Sequence, residues 1–166
     1  MRYSYYLSFL LFMLPQVGFS QVLNRSFVER DSTVILLGQV TVDRFKEPPF
    51  SSWYLPGQSN ETTPSDTLAL LASAWEHIHS LTLFIGTWSG ESRRGLPKIV
   101  SLLQAADFDM TNLKVICVDH SKSVYKQSPD GEQVGQNIHR VPTLLEHDEE
   151  GEEMNRIVEP PLFMGN

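Results

Sequence analysis

Two serines three residues apart, in Trp88-Ser89-Gly90-Glu91-Ser92, stand where an apolar run ends and a helical period begins. Residues spaced by three at a helix start lie one turn apart on the same face. A thiol at such a terminus sits in a positive field, so its pKa falls, and a second thiol one turn on comes within disulfide reach. With Arg93 and Arg94 beside it, a cysteine at position 89 is expected to titrate below the usual value of about 8.5. A serine hydroxyl stays protonated at neutral pH and does not attack disulfides as a thiolate does. Serine at this place commonly caps the helix, and capping is the role expected of Ser89. A hydrolase nucleophile fits poorly. Thr87 occupies the position where the G-x-S-x-G elbow needs its first glycine, and no motif ties Ser89 to a base.

The remaining reactive side chains suggest little chemistry. A single cysteine, Cys117, excludes an internal disulfide framework, a zinc knuckle and a self-contained dithiol centre. It lies in Val115-Ile116-Cys117-Val118, an apolar strand expected to be buried by helices on both sides, where a thiol is inert packing. Five histidines are present (His77, His79, His120, His139 and His147). His77 and His79 are two apart, so on a helix they face different directions and make a poor metal pair. The acidic stretch from Glu146 to Glu153 lacks alternate-position oxygen ligands around a central glycine as in a calcium loop and reads as a solvated hairpin tip. No metal and no cofactor are expected. The sequons at Asn24 and Asn60 are read as incidental. With 20 Asp and Glu against 13 Lys and Arg, the net charge of -7 argues against nucleic-acid binding.

The elements that must position Ser89 and Ser92 follow from patterning. Residues 1–20 read as a secretory signal peptide: Arg2, then an uncharged run from Leu7 to Leu14, then Pro15, with Gly18 and Ser20 at the cleavage positions. That apolar run is too short to span a bilayer, so the mature form is expected to be exported, periplasmic or extracellular, with no membrane span. Residues 21–64 form an N-terminal strand and a Pro-rich extension. The strand runs from Ser32 to Val42, and a long loop follows through Pro48, Pro49, Pro56 and Pro64, pinned by Phe50, Trp53 and Tyr54. Residues 65–166 form the main domain. A helix opening at Ser65-Asp66 buries Leu68, Leu71, Ala72, Trp75 and Ile78. A strand from Leu81 to Trp88, a helix from Ser89 to Ala106 and a strand from Leu113 to Asp119 follow. Val141–Glu146 and Glu153–Val158 then flank the turn Asp148–Gly151 as a hairpin. This order predicts an α/β fold with a mixed sheet, part of it parallel, flanked by helices.

Two segments carry a family resemblance. Trp88-Ser89-Gly90-Glu91-Ser92, opening a helix that contains Pro97, resembles the thioredoxin active-site segment W-C-G-x-C with serine at both cysteine positions. Asn137-Ile138-His139-Arg140-Val141-Pro142-Thr143 resembles that family's cis-proline segment, and 152–159 resembles its last strand. Gly38 to Trp88 is similar to the N-terminal part of an exported bacterial branch, which typically reads W-C-G-D/E-S. The resemblance spans about residues 65–159 and implies a thioredoxin-like fold. It departs at Leu83, where many thioredoxins carry a buried acid. It implies a groove framed by Trp88, Val141, Pro142 and Thr143, with Ser89 and Ser92 on its floor, that takes a protein or an extended peptide. With both thiols absent, the expected function is a redox-inactive binding module. The alternative is a thiol-disulfide oxidoreductase of the same family whose cysteines were replaced by serine.

The C-terminus departs furthest from that family, whose members end in a helix of several turns. Pro160-Pro161-Leu162-Phe163-Met164-Gly165-Asn166 is too short and too proline-rich for one. The final helix is therefore expected to be missing or truncated. Val22 to Tyr54, or a partner, is expected to cover the exposed sheet face, with Leu162, Phe163 and Met164 adding a small apolar plug.

Overall fold

The computed structural model describes residues 22–58 and 64–159 of the 166. The expected leader and the Leu162–Met164 plug lie outside the described residues. Six strands form one mixed sheet in the order β1-β2-β4-β3-β5-β6. These are β1 (Arg25–Val28), β2 (Val34–Val40), β3 (Ser80–Ile85), β4 (Leu113–Cys117), β5 (Thr143–His147) and β6 (Glu153–Val158). Only β3 and β4 run parallel, with Leu83 opposite Val115 and Phe84 opposite Ile116. The other pairs are antiparallel, and the β5–β6 hairpin turns at Asp148–Gly151 as patterned. The mixed α/β class and its parallel part agree with the order of elements read from the sequence. Among the described residues no helix is long and apolar enough to cross a membrane.

The period of two along β3 divides the core. Leu81, Leu83 and Ile85 face one cluster together with Val115, Cys117 and Leu144. Phe84 faces a second, smaller cluster with Ile116, Val118, Val141 and Leu145. Helix α3 (Gly90–Ala105) lies on the first face and buries Leu96, Ile99, Val100 and Leu103 at helical spacing. Strand β4 was expected to be covered by helices on both faces. Among the described residues the second cluster instead draws Trp88 and Ile138 from loops and no residue from a helix.

Two further expectations are corrected. The Pro-rich stretch after β2 is not a plain loop: a 3-10 turn spans Val42–Lys46, and α1 spans Ser51–Gly57 with Pro56 inside it. Aromatic packing outweighs the breaker residues. The Phe45 ring stacks on Tyr54 at 5.8 Å and meets Phe50 edge-on at 6.2 Å, and all three are buried beside α3 in the main cluster. This part of the N-terminal segment therefore packs on the sheet face that α3 already covers. The second correction concerns α2 (Ser65–Ala74), which ends before Trp75 and buries no residue completely. Its expected stripe is only half-buried at Leu68, Leu71, Trp75 and Ile78, and Ala72 is exposed. The chain is fastened just past the end of α2 rather than along its face: Trp75 packs edge-on against Phe108 at 5.1 Å and donates Nε1–H to the Ala106 carbonyl at 3.0 Å.

The contact between α1 and α3 is tight enough to test. A β-carbon built on Gly57 would lie 2.6 Å from Cγ of Pro97, inside a rigid ring. Gly57→Ala is therefore expected to lose about 1–3 kcal/mol by overpacking. Helix propensity alone would instead add up to about 1 kcal/mol. The urea midpoint at constant m-value decides the sign, and a raised midpoint would refute the close approach.

Tyr54 gives a pH test of the same core. It is fully buried, its hydroxyl has no partner among the described residues, and burial, then the charge of Asp43, pushes its pKa up to about 12. Since an unfolded phenol titrates near about 10, the unfolded chain ionises first as pH rises. Stability is then complete below about pH 10 and falls between about 10 and 12. Tyr54→Phe should shift the alkaline unfolding midpoint to higher pH. Superimposable alkaline curves for the two proteins would refute the assignment.

Candidate functional site

The site is built on the elbow between β3 and α3. Gly86 is required there, because a β-carbon at this position would lie 2.5 Å from the Trp88 indole. The Ser89 amide donates to the Gly86 carbonyl at 2.9 Å, closing the turn. Thr87, 1 % exposed, accepts the Leu36 amide on its hydroxyl at 3.1 Å, which ties the elbow to β2. Its carbonyl accepts Nε–H of Arg93 at 2.6 Å.

Both serines are held in structural hydrogen bonds. Ser89 has extended backbone and caps α3, its Oγ accepting the Ser92 amide at 3.3 Å. Its hydroxyl proton is directed to Glu91 Oε2 at 3.2 Å. Ser92 Oγ accepts the Gly86 amide at 3.1 Å, satisfying a donor that would otherwise be buried without a partner. Ser89 and Ser92 are 6 % and 1 % exposed. The Glu91 carboxylate, held below its ordinary pKa by its own backbone amide and then by the Ser89 hydroxyl, is a weak base, and this disfavours Ser89 as a nucleophile. Cys117 is fully buried and desolvation pushes its thiol pKa up, so it is inert to thiolate chemistry. Among the described residues no group of three or more His, Cys, Asp or Glu is placed to hold a metal.

Trp88 turns away from the serines. Its Nε1–H donates to the Val118 carbonyl at 2.8 Å, and its ring lies 5.3 Å from His120 and 6.2 Å from Tyr125. His120 in turn meets Glu29 Oε1 at 2.7 Å, joining the N-terminal hairpin to this edge. Val141 packs in the same apolar cluster as Trp88. The Val141-Pro142 bond is cis, as is Pro48-Pro49, which patterning did not suggest. The Pro142 carbonyl is taken by the Glu159 amide at 2.9 Å, and Thr143 Oγ1 donates to the Arg140 carbonyl at 2.8 Å. Among the described residues neither the amide nor the carbonyl of Val141 has a backbone partner.

The structure therefore brings Trp88 and Val141 together. Ser92 and Thr143, each 1 % exposed, offer a ligand almost no surface in this conformation. Sequence reasoning missed the Thr87–Leu36 tie, the Glu91–Ser89 bond and the Trp88–His120–Tyr125 edge. A signal for the last existed: parallel neighbours bring the segments after their carboxyl ends together, and His120 follows β4 as Trp88 follows β3.

No family model and no curated protein matches the chain. Two solved structures are similar to parts of it. A Pseudomonas aeruginosa protein of unknown function is 16 % identical, with a TM-score of 0.41 over 67 % of this chain and 61 % of that one. An HIV epitope scaffold is 17 % identical, with a TM-score of 0.42 over 70 % of this chain and 66 % of that one. The chain thus spans less than two thirds of the length of either structure.

The Glu91 contact corrects the expected electrostatics of position 89. Arg93 is committed to the Thr87 carbonyl and Arg94 to Glu91 at 3.1 Å, so a carboxylate, not a cation, touches the Ser89 hydroxyl. The thiol of Ser89→Cys should still titrate below about 8.5 because of the helix terminus. Adding Glu91→Gln should lower that pKa further, since it removes a like charge from beside the thiolate. Thiolate absorbance against pH measures both variants. Equal values would show that Glu91 does not face residue 89.

Proposed function

We propose that the chain is an exported, thioredoxin-like module without thiol-disulfide activity, which binds an extended segment of a protein or peptide along Trp88 and Val141. The observation that carries this reading is the main chain of Val141, a residue 5 % exposed and without a backbone hydrogen-bond partner among the described residues, beside the Trp88 indole in one apolar cluster. An extended chain laid there gains main-chain hydrogen bonds from Val141 and apolar contact from the indole. The fold assignment is supported by the order β3–α3–β4 followed by the β5–β6 hairpin, by Pro97 within α3, and by Val141-Pro142 just before β5. The loss of redox chemistry is supported by hydroxyls at both dithiol positions, each already engaged in the hydrogen bonds of the elbow.

Two measurements test the proposal together. Insulin-disulfide reduction with dithiothreitol should stay at the rate of the protein-free control. Peptides selected from a displayed random library should slow amide hydrogen exchange at Val141 and perturb Trp88. A library that yields no binder, or binders that protect only distant amides, would overturn the binding reading. Reduction above the control would overturn the redox-inactive one.

A further inference from the structure

On the opposite flank of the elbow from Trp88, a cleft of about 250 Å³ opens between the β1–β2 turn, the start of α1 and the first turn of α3. Its aromatic side is Trp53 and the buried Phe50; Ser32, Thr33 and Ser52, whose hydroxyl donates to the Pro49 carbonyl, also line it, and Arg93 is its cation. The Nε–H bond to the Thr87 carbonyl fixes the plane of the half-buried Arg93 guanidinium, while Nη1 and Nη2 have no partner among the described residues. The carboxylate of the adjoining turn, Asp31, is held by the Thr33 amide at 3.0 Å.

From this arrangement we infer a binding site for a small organic carboxylate with a compact apolar, preferably aromatic, body. A guanidinium held in one plane with unused donors matches the two coplanar oxygens of a carboxylate. Partial burial strengthens that pairing. Aromatic walls favour an apolar body on the ligand, and the volume, just below the usual range of about 300–1,000 Å³ for ligand pockets, limits its size. A free acid and the terminal carboxylate of a peptide share this chemistry. The inference does not depend on the Trp88–Val141 reading, since the two surfaces share no residue.

Titration of the whole chain with 3-phenylpropionate, followed by nitrogen–proton spectra of the tryptophan indoles and arginine Nε groups, tests the site. Saturable shifts are expected at Trp53 and Arg93 but not at Trp88, and 3-phenylpropanamide should produce none. Arg93→Gln should weaken binding at least about tenfold, the loss expected for a charge-assisted bidentate pair. Because Arg93 also braces the elbow, Ser52→Trp serves as the second variant: it fills the cleft, leaves the Arg93–Thr87 bond in place and should abolish the shifts. Competition by Gly-Gly-Phe with a free but not an amidated C-terminus assigns the site to peptide ends. Failure of both peptides to compete assigns it to free acids. Binding of the amide equal to that of the acid, shifts centred on Trp88, undiminished binding in Ser52→Trp, or no saturation in the native chain would each overturn the inference.

Discussion

Strand β3 has hydrogen-bonded neighbours on both sides and apolar residues facing both ways, and the rest of the molecule is arranged around that constraint. A strand in this position cannot shift by one residue without exchanging Leu83 and Ile85 for Thr82 and Phe84 on the α3 face. Its carboxyl end is therefore fixed, and so is the elbow that follows. Thr87 then reaches the Leu36 amide in β2, and Gly86 leaves space for the Trp88 indole. The pose of the two serines is a consequence of where β3 ends.

Desolvation explains why the serines serve structure. The first amides of a helix lack intrahelical partners, and the Gly86 amide is removed from the ladder by the turn. Both needs arise within a nearly closed space, and Ser89 and Ser92 answer them with the acceptor oxygens of their hydroxyls. A hydroxyl used in this way has little freedom to approach a reacting group. The two hydroxyls and the turn between β3 and α3 form a braced joint.

The same joint organises a different surface on each flank. On one flank Trp88 is held by the Val118 carbonyl and extended by His120 and Tyr125, beside Val141, which has no backbone partner among the described residues. On the other, Arg93 is held by the Thr87 carbonyl and turned toward Trp53 and Phe50. In each case one hydrogen bond from a ring or guanidinium nitrogen to a main-chain carbonyl orients a large side chain at little entropic cost. A short segment thereby orients one large side chain on each flank.

Strands β2 to β6, α3, the β5–β6 turn and the capping role of Ser89 were legible in the sequence, because each rests on local periodicity or a local hydrogen bond, whereas β1 was not read. The inert character of Cys117 was legible for the same reason, since an apolar strand buries what it carries. Other features were decided by tertiary structure. The Pro-rich stretch became α1 because Phe45, Phe50 and Tyr54 found α3 to pack against, a gain that no local propensity registers. The periodic stripe of α2 stayed half-exposed, its apolar side chains only partly covered and Ala72 exposed. Glu91 rather than Arg93 or Arg94 came to touch Ser89 because side-chain direction around a helix, and competing acceptors such as the Thr87 carbonyl, set the partner. Spacing in a chain places residues on a face, whereas contacts between residues distant in sequence depend on how separate elements come together.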